Sequence, residues 1–125
     1  MKECLFCECE NSKEGVIYET VNWMVKEDAY PVSNGHVLII PKEHFETYFE
    51  LPDMLKESIH YIIEHVKSML DEKYHPDGYN IGFNCGEASG QTINHFHIHV
   101  IPRYNGDVDN PRGGVRGVIP SKQNY

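Results

Sequence analysis

In the stretch HFHIHVI, His95, His97 and His99 alternate with Phe96, Ile98 and Val100. In an extended strand that period sends the three imidazoles to one face and the three apolar side chains to the other. Two chemistries suit such a face. A neutral imidazole, with an ordinary pKa of about 6.5, offers an unprotonated nitrogen that can attack phosphorus and form a phosphohistidine for water to open. Histidines at i and i+2 on a strand also chelate a catalytic metal such as zinc. The residues just upstream favour phosphate. Asn84 to Thr92 is a loop whose glycines, Gly86 and Gly90, let backbone N–H groups approach phosphate oxygens, with Gln91 and Thr92 as side-chain donors at its end. His97, the middle residue, can be oriented from one neighbour and assisted by the other. His36, brought in by a separate loop, would supply a further donor to phosphate oxygens.

A second cluster lies at the start of the chain. Cys4, Cys7 and Cys9 sit close together and Cys85 far away. The first residues, MKECLFCECE, lack the apolar core of a secretory signal, so Cys4-x2-Cys7 reads as half a zinc site rather than part of a disulfide framework. It needs two ligands from elsewhere.

The elements that must position these groups follow from pattern. β-Branched and aromatic residues from Val16 to Val25 predict two short antiparallel strands with a turn near Thr20 to Asn22. Asp28 to Gly35, punctuated by Pro31, Asn34 and Gly35, predicts a loop that delivers His36 to a strand. Val37 to Ile40 is apolar without alternation, as for a strand covered on both faces, and Pro41 stops its ladder. Lys42 to Tyr48 is expected to form a short helical turn carrying His44. From Asp53 to about Lys73, apolar residues recur at three and four, which predicts a long amphipathic helix bounded by Pro52 and Pro76. Tyr79 to Asn84 predicts a strand with Tyr79, Ile81 and Phe83 on one side. From Asn110 onward the chain has no acids but keeps Arg112, Arg116 and Lys122, a basic tail that could fold over an anionic ligand.

A length of 125 residues suits one domain with a tail. The formal charge of -8 argues against broad binding to nucleic acid or an anionic membrane, which basic clusters drive. The longest apolar run, Val37 to Ile40, is far too short to cross a bilayer, so a cytoplasmic location is expected.

At HFHIHVIPR, preceded by GQT and by GHVLIIPKEH at residues 35 to 44, the sequence resembles the histidine triad (HIT) superfamily of nucleotide hydrolases and transferases. The resemblance spans most of residues 4 to 107. It implies an α+β, HIT-like fold with an antiparallel sheet of about five strands, one long helix and a short one, and a homodimer whose sheets join across a two-fold axis. The domain would span 1–109 and the basic tail 110–125. Pro102-Arg103 with Gly106-Asp107 looks more like the branch that cleaves dinucleoside polyphosphates, the fragile histidine triad type. Asn84, where that branch has Gln, matches the nucleoside phosphoramidase type.

The resemblance further implies roles. His97 matches the nucleophile that takes up a nucleoside monophosphate, His95 the residue that orients it, and His99 and His36 phosphate-contacting histidines. Asn84, Gln91 and Thr92 match phosphate contacts, and Asp28 the residue bonding the ribose hydroxyls. Leu5, Phe6 and Leu38 match positions lining the purine pocket. Zinc ligands of bacterial-type members match Cys4, Cys7, His44 and His95, a closed and therefore structural site, and magnesium would accompany a polyphosphate substrate. The expected reaction is hydrolysis at the α-phosphate of a purine nucleotide derivative, such as diadenosine tetraphosphate. A nucleoside phosphoramidase or adenylyl-sulfate hydrolase of the same superfamily is the alternative. Outside that chemistry stand a metal-dependent hydrolase and a nonenzymatic nucleotide-binding protein.

Overall fold

Trp23, Met24 and Val25 are all buried, as are Val37 to Pro41, because the sheet they belong to is covered on both sides. The computed structural model describes residues 4–125, so residues 1–3 of the expected domain lie outside the described residues. Strands β1 (Val16–Glu19), β2 (Trp23–Glu27), β3 (Val37–Pro41), β4 (Gly78–Gly82) and β5 (Ile98–Arg103) form one sheet in the order β1-β2-β3-β5-β4. Every neighbouring pair is antiparallel. The fold is the α+β arrangement expected, with a long helix, α2 (Asp53–Tyr74), and a short one, α1 (Leu5–Ser12).

Strand period two sorts the core. Trp23, Val25, Val37, Ile39, Ile98 and Val100 pack against Leu55, Ile62, Val66 and Leu70 of α2. Met24, Leu38 and Ile40 point the other way, onto Phe6 and Cys9 of α1. α2 begins after Pro52, whose carbonyl accepts from Leu55 and Lys56 N–H groups, and ends at His75 in the left-handed conformation, just before Pro76.

Two expectations are corrected. The short helix is Leu5–Ser12, whereas residues 42–47 are irregular and only Tyr48–Glu50 make a 3-10 turn. Pro41 does not end the ladder before itself: it pairs with Trp23, because its missing N–H falls at the last strand position. The tail makes 3-10 turns at Gly114–Val118 and Pro120–Lys122, and its two arginines, both exposed, fold back on the tail itself. Arg116 donates to the carbonyls of Lys122 and Gln123, and the Arg112 and Arg116 guanidinium groups lie 4.6 and 4.9 Å from the Tyr125 ring centre.

Gly35 sets the entry to β3 and so the placement of His36. Its φ is +93°, and a Cβ there would lie 2.9 Å from Tyr74 Cδ2 and 3.1 Å from Pro102 Cγ. Gly35→Ala is expected to destabilise the fold by about 2–4 kcal/mol, combining backbone strain with overpacking. A denaturant midpoint equal to that of the unsubstituted protein would show that the turn relaxes freely.

Candidate active site and metal centre

β5 and its lead-in carry the histidine face. Val100 pairs with Val37 and His99 with Leu38, so the β3 end that bears His36 is anchored beside His99. Residues 95–97 precede the ladder but keep the alternation: His95, Phe96, Ile98 and Val100 are buried, His97 and His99 half-buried. The Phe96 N–H bonds to the Phe45 carbonyl at 2.6 Å, fastening the segment that carries His44.

Hydrogen bonds assign the ring protons. His97 Nδ1 lies 2.8 Å from the His95 carbonyl oxygen. A carbonyl only accepts, so Nδ1 carries the proton and Nε2 is left with its lone pair. Phe6 packs edge-on to the His97 ring, with centroids 5.0 Å apart, and limits its rotation. The Val32 N–H donates to His36 Nδ1 at 3.1 Å, which puts the His36 proton on Nε2. That nitrogen faces His99 Nδ1 at 3.0 Å and Asp28 Oδ2 at 3.3 Å. His99 Nδ1 therefore accepts and its Nε2 bears the proton. The His97 and His99 rings are 5.2 Å apart, one with a free lone pair and the other with a proton to give.

Burial lowers the pKa of His36 and His97, against the opposing pull of Asp28. His99 falls from 6.5 to about 4 through burial, then the neighbouring His97 and His36. The unfolded imidazole takes up a proton near pH 6.5, while the folded one refuses it until about 4. His99's contribution to stability is therefore fully present above pH 6.5 and is lost as pH falls through that window. Between about pH 7 and pH 4.5 the loss is about 2–3 kcal/mol. Denaturant midpoints at the two pH values check this, and equal midpoints would contradict it.

The second cluster closes around His95. Its Nε2 donates to the Pro41 carbonyl at 2.8 Å, so its Nδ1 presents a lone pair. That lone pair faces His44 Nδ1 at 3.1 Å, Cys4 Sγ at 3.3 Å and Cys7 Sγ at 3.6 Å, and Cys7 Sγ lies 3.3 Å from His44 Nδ1. Tetrahedral zinc with Zn–S near 2.3 Å and Zn–N near 2.05 Å holds its donors about 3.3–3.8 Å apart; the three sulfur–nitrogen distances lie in that range and the nitrogen–nitrogen distance of 3.1 Å just below it, so the set suits that ion. α1 supplies the cysteines, and Cys4 Sγ also caps the helix by accepting the Cys7 N–H. On protein atoms alone, burial and then the adjacent Cys4 push the Cys7 thiol up to about 11. A cation is what would convert it to thiolate.

Asp28, His36 and His99 also converge closely enough to suggest an ion site. An ion there would have to displace the proton on His36 Nε2, which the Val32 N–H fixes in place.

Other expected residues fall as follows. Asn84 lines the cavity that His36 and His99 also line. Gln91 is buried and fully occupied: Oε1 accepts from the Gly86 N–H, and Nε2 donates to the Glu46 and Ile93 carbonyls. The Gly86, Ser89, Gly90 and Gln91 amides are used within the loop, so it is a braced turn and not the open row of donors the glycines suggested. Thr92 is exposed beside Cys4 and His44. Leu5 is exposed, whereas Phe6 and Leu38 are core. Sequence reasoning missed the Pro41 and His95 carbonyls and the Val32 N–H, because main-chain groups carry no residue signature. It also missed the Arg103 fork, which grips both Asp107 oxygens at 2.7 Å and Asn80 at 2.6 Å, joining β5 to β4.

The family model for the HIT domain matches residues 10–106. A HIT-like protein of Methanocaldococcus jannaschii is 39% identical over 108 residues, covering 83% of this chain and 81% of its own. Adenylylsulfatase HINT3 of Arabidopsis thaliana is 33% identical over 107 residues, 84% of this chain and 54% of its own. The crystal structure of a zinc-bound histidine triad family protein from Mycobacterium smegmatis matches with a TM-score of 0.78 and 34% identity, over 85% of this chain and 78% of that one.

Proposed function

The chain belongs to the HIT domain family, and from that premise we propose that it is a nucleotide hydrolase using His97 as a covalent nucleophile. One observation carries the reading: the His97 Nδ1–H bond to the His95 carbonyl, which frees Nε2 for attack. In the first step Nε2 bonds to the α-phosphorus of a purine nucleotide derivative. The bond to the leaving group breaks as His99 Nε2–H, held in that tautomer by His36, donates a hydrogen bond to the departing atom, which takes its proton from water. In the second step water attacks the nucleotidyl-histidine, the P–N bond breaks, and a nucleoside monophosphate departs.

Asp28, 3.3 Å from His36 Nε2, would bond the ribose hydroxyls, and Asn84 and Thr92 would contact the phosphate. Gln91 serves by holding the loop. Leu5, with Phe6 and Leu38 behind it, supplies the base contact. Dinucleoside polyphosphates, nucleoside phosphoramidates and adenylyl sulfate all present the same α-phosphate, and Asn84 supports the phosphoramidase type. Magnesium would arrive with a polyphosphate substrate. Cys4, Cys7, His44 and His95 would hold zinc in a closed set of four ligands, tying α1 to the histidine strand. β4, an edge strand in the described sheet, is where a second copy would extend it, giving the homodimer. No helix among the described residues is long and apolar enough to cross a membrane, which suits a cytoplasmic enzyme.

The test is intact-protein mass after acid quench, with diadenosine tetraphosphate, adenosine phosphoramidate and adenylyl sulfate in turn. An added nucleoside monophosphate on the unsubstituted protein, absent in His97→Ala, is expected. Product formation without the adduct would point to a metal-dependent hydrolase, and nucleotide binding without product to a sensor.

A further inference from the structure

A cavity of about 490 Å³ opens beside His99 and His36, between β4 and the tail turn Gly114–Val118. Its walls are mainly apolar: Ile81, Phe83, Ile101, Val115 and Val118. Asn80 and Asn84 add the uncharged polar groups, and no lysine or arginine among the described residues lines it. The two tail arginines are turned onto Tyr125 and main-chain carbonyls instead. The cavity thus adjoins the histidine whose Nε2–H is placed to hydrogen-bond the departing group, within one ring spacing of His97.

A departing polyphosphate carries several negative charges and calls for cations along its path. Here it would meet valine, isoleucine and phenylalanine in a chain of net charge -8. An uncharged apolar group would instead exchange water for these side chains. We propose that this cavity is a leaving-group subsite, walled on one side by the chain's own tail. It selects nucleotide derivatives whose α-phosphate bears an uncharged, apolar organic group over those that release a polyphosphate. Val115 and Val118 are its specificity-determining residues. The inference rests on the nucleotidyl-transfer reading of the site and narrows its substrate class.

The test compares phenyl and naphthyl esters of AMP, whose leaving groups are similarly acidic but differ in apolar area, alongside diadenosine tetraphosphate. The naphthyl ester is expected to show a kcat/KM about tenfold above the phenyl ester, the order of discrimination that added apolar contact supplies. Diadenosine tetraphosphate should be the poorest of the three. Val115→Asp with Val118→Asp should erase the naphthyl advantage; both valines are exposed, at 65% and 74%, so the fold is not at stake. Equal esters, a preferred polyphosphate, or an advantage that survives the double variant would overturn the subsite. If no substrate labels His97, the nucleotidyl-transfer reading fails instead. Binding of free naphthol, followed by NMR shifts of the Val115 and Val118 amides, then decides the cavity: shifts support it and their absence overturns it.

Discussion

His97→Ala is expected to abolish turnover, with kcat reduced by at least about 10³–10⁴-fold, while affinity for AMP stays within a few-fold. The size of the effect follows from the proposed role. The substitution removes the only atom that bonds to phosphorus, and no other imidazole reaches that position with a free lone pair. His99 Nδ1 is engaged with His36 and its Nε2 is protonated; His95 sits with Nε2 on Pro41 and Nδ1 among the sulfurs. Affinity survives because the braced loop, Asp28 and the base contact are untouched. His97 is half-buried, and its loss leaves Phe6 and Leu38 in the smaller core cluster. Steady-state kinetics and AMP titration on one preparation give the answer. Turnover within tenfold of the unsubstituted protein would end the covalent mechanism.

Chelation, or Cys7→Ser, is expected to lower the melting temperature, with a stability loss of about 4 kcal/mol for a site occupied at a thousandfold excess over its Kd. Zinc would fasten three separate pieces: α1 through Cys4 and Cys7, the irregular segment through His44, and the strand lead-in through His95. α1 has only eight residues and buries only Phe6 and Cys9, so little else secures it. Its release would also free the His97 ring from Phe6, so activity should fall in step with unfolding of α1 rather than at once. Thermal melts and metal content on the same samples check this. An unchanged melting temperature would rule out a structural ion, and instant loss of turnover with the fold intact would make the metal catalytic.

Much of this was legible where a pattern repeats. The helix from Asp53 carries a period that only one geometry satisfies, the strands around Trp23 and Ile39 show as short β-branched and apolar runs, and the alternation at His95 to Val100 put three imidazoles on one face. That face is less open than alternation alone suggests, because α1 covers it and His95 is fully buried. α1 itself was illegible. LFCECENS has few apolar residues, and its helical state depends on the sheet beneath it and the donors around His95 rather than on local propensity. The loop at Gly86 to Thr92 misled for a related reason: glycine announces conformational freedom, but the Gly86 amide is taken by the Gln91 side chain and those of Ser89, Gly90 and Gln91 by loop carbonyls.

The Val32 N–H on His36 has a consequence for metal poisoning. Two histidines and a carboxylate within a few ångströms would ordinarily scavenge stray transition ions and block the pocket they line. Here an incoming ion must first strip the hydrogen from His36 Nε2 and leave two N–H groups, the ring's and the backbone's, pointing at each other. A single main-chain amide thereby sets the Asp28, His36 and His99 group apart from the Cys4, Cys7, His44 and His95 group that would hold zinc.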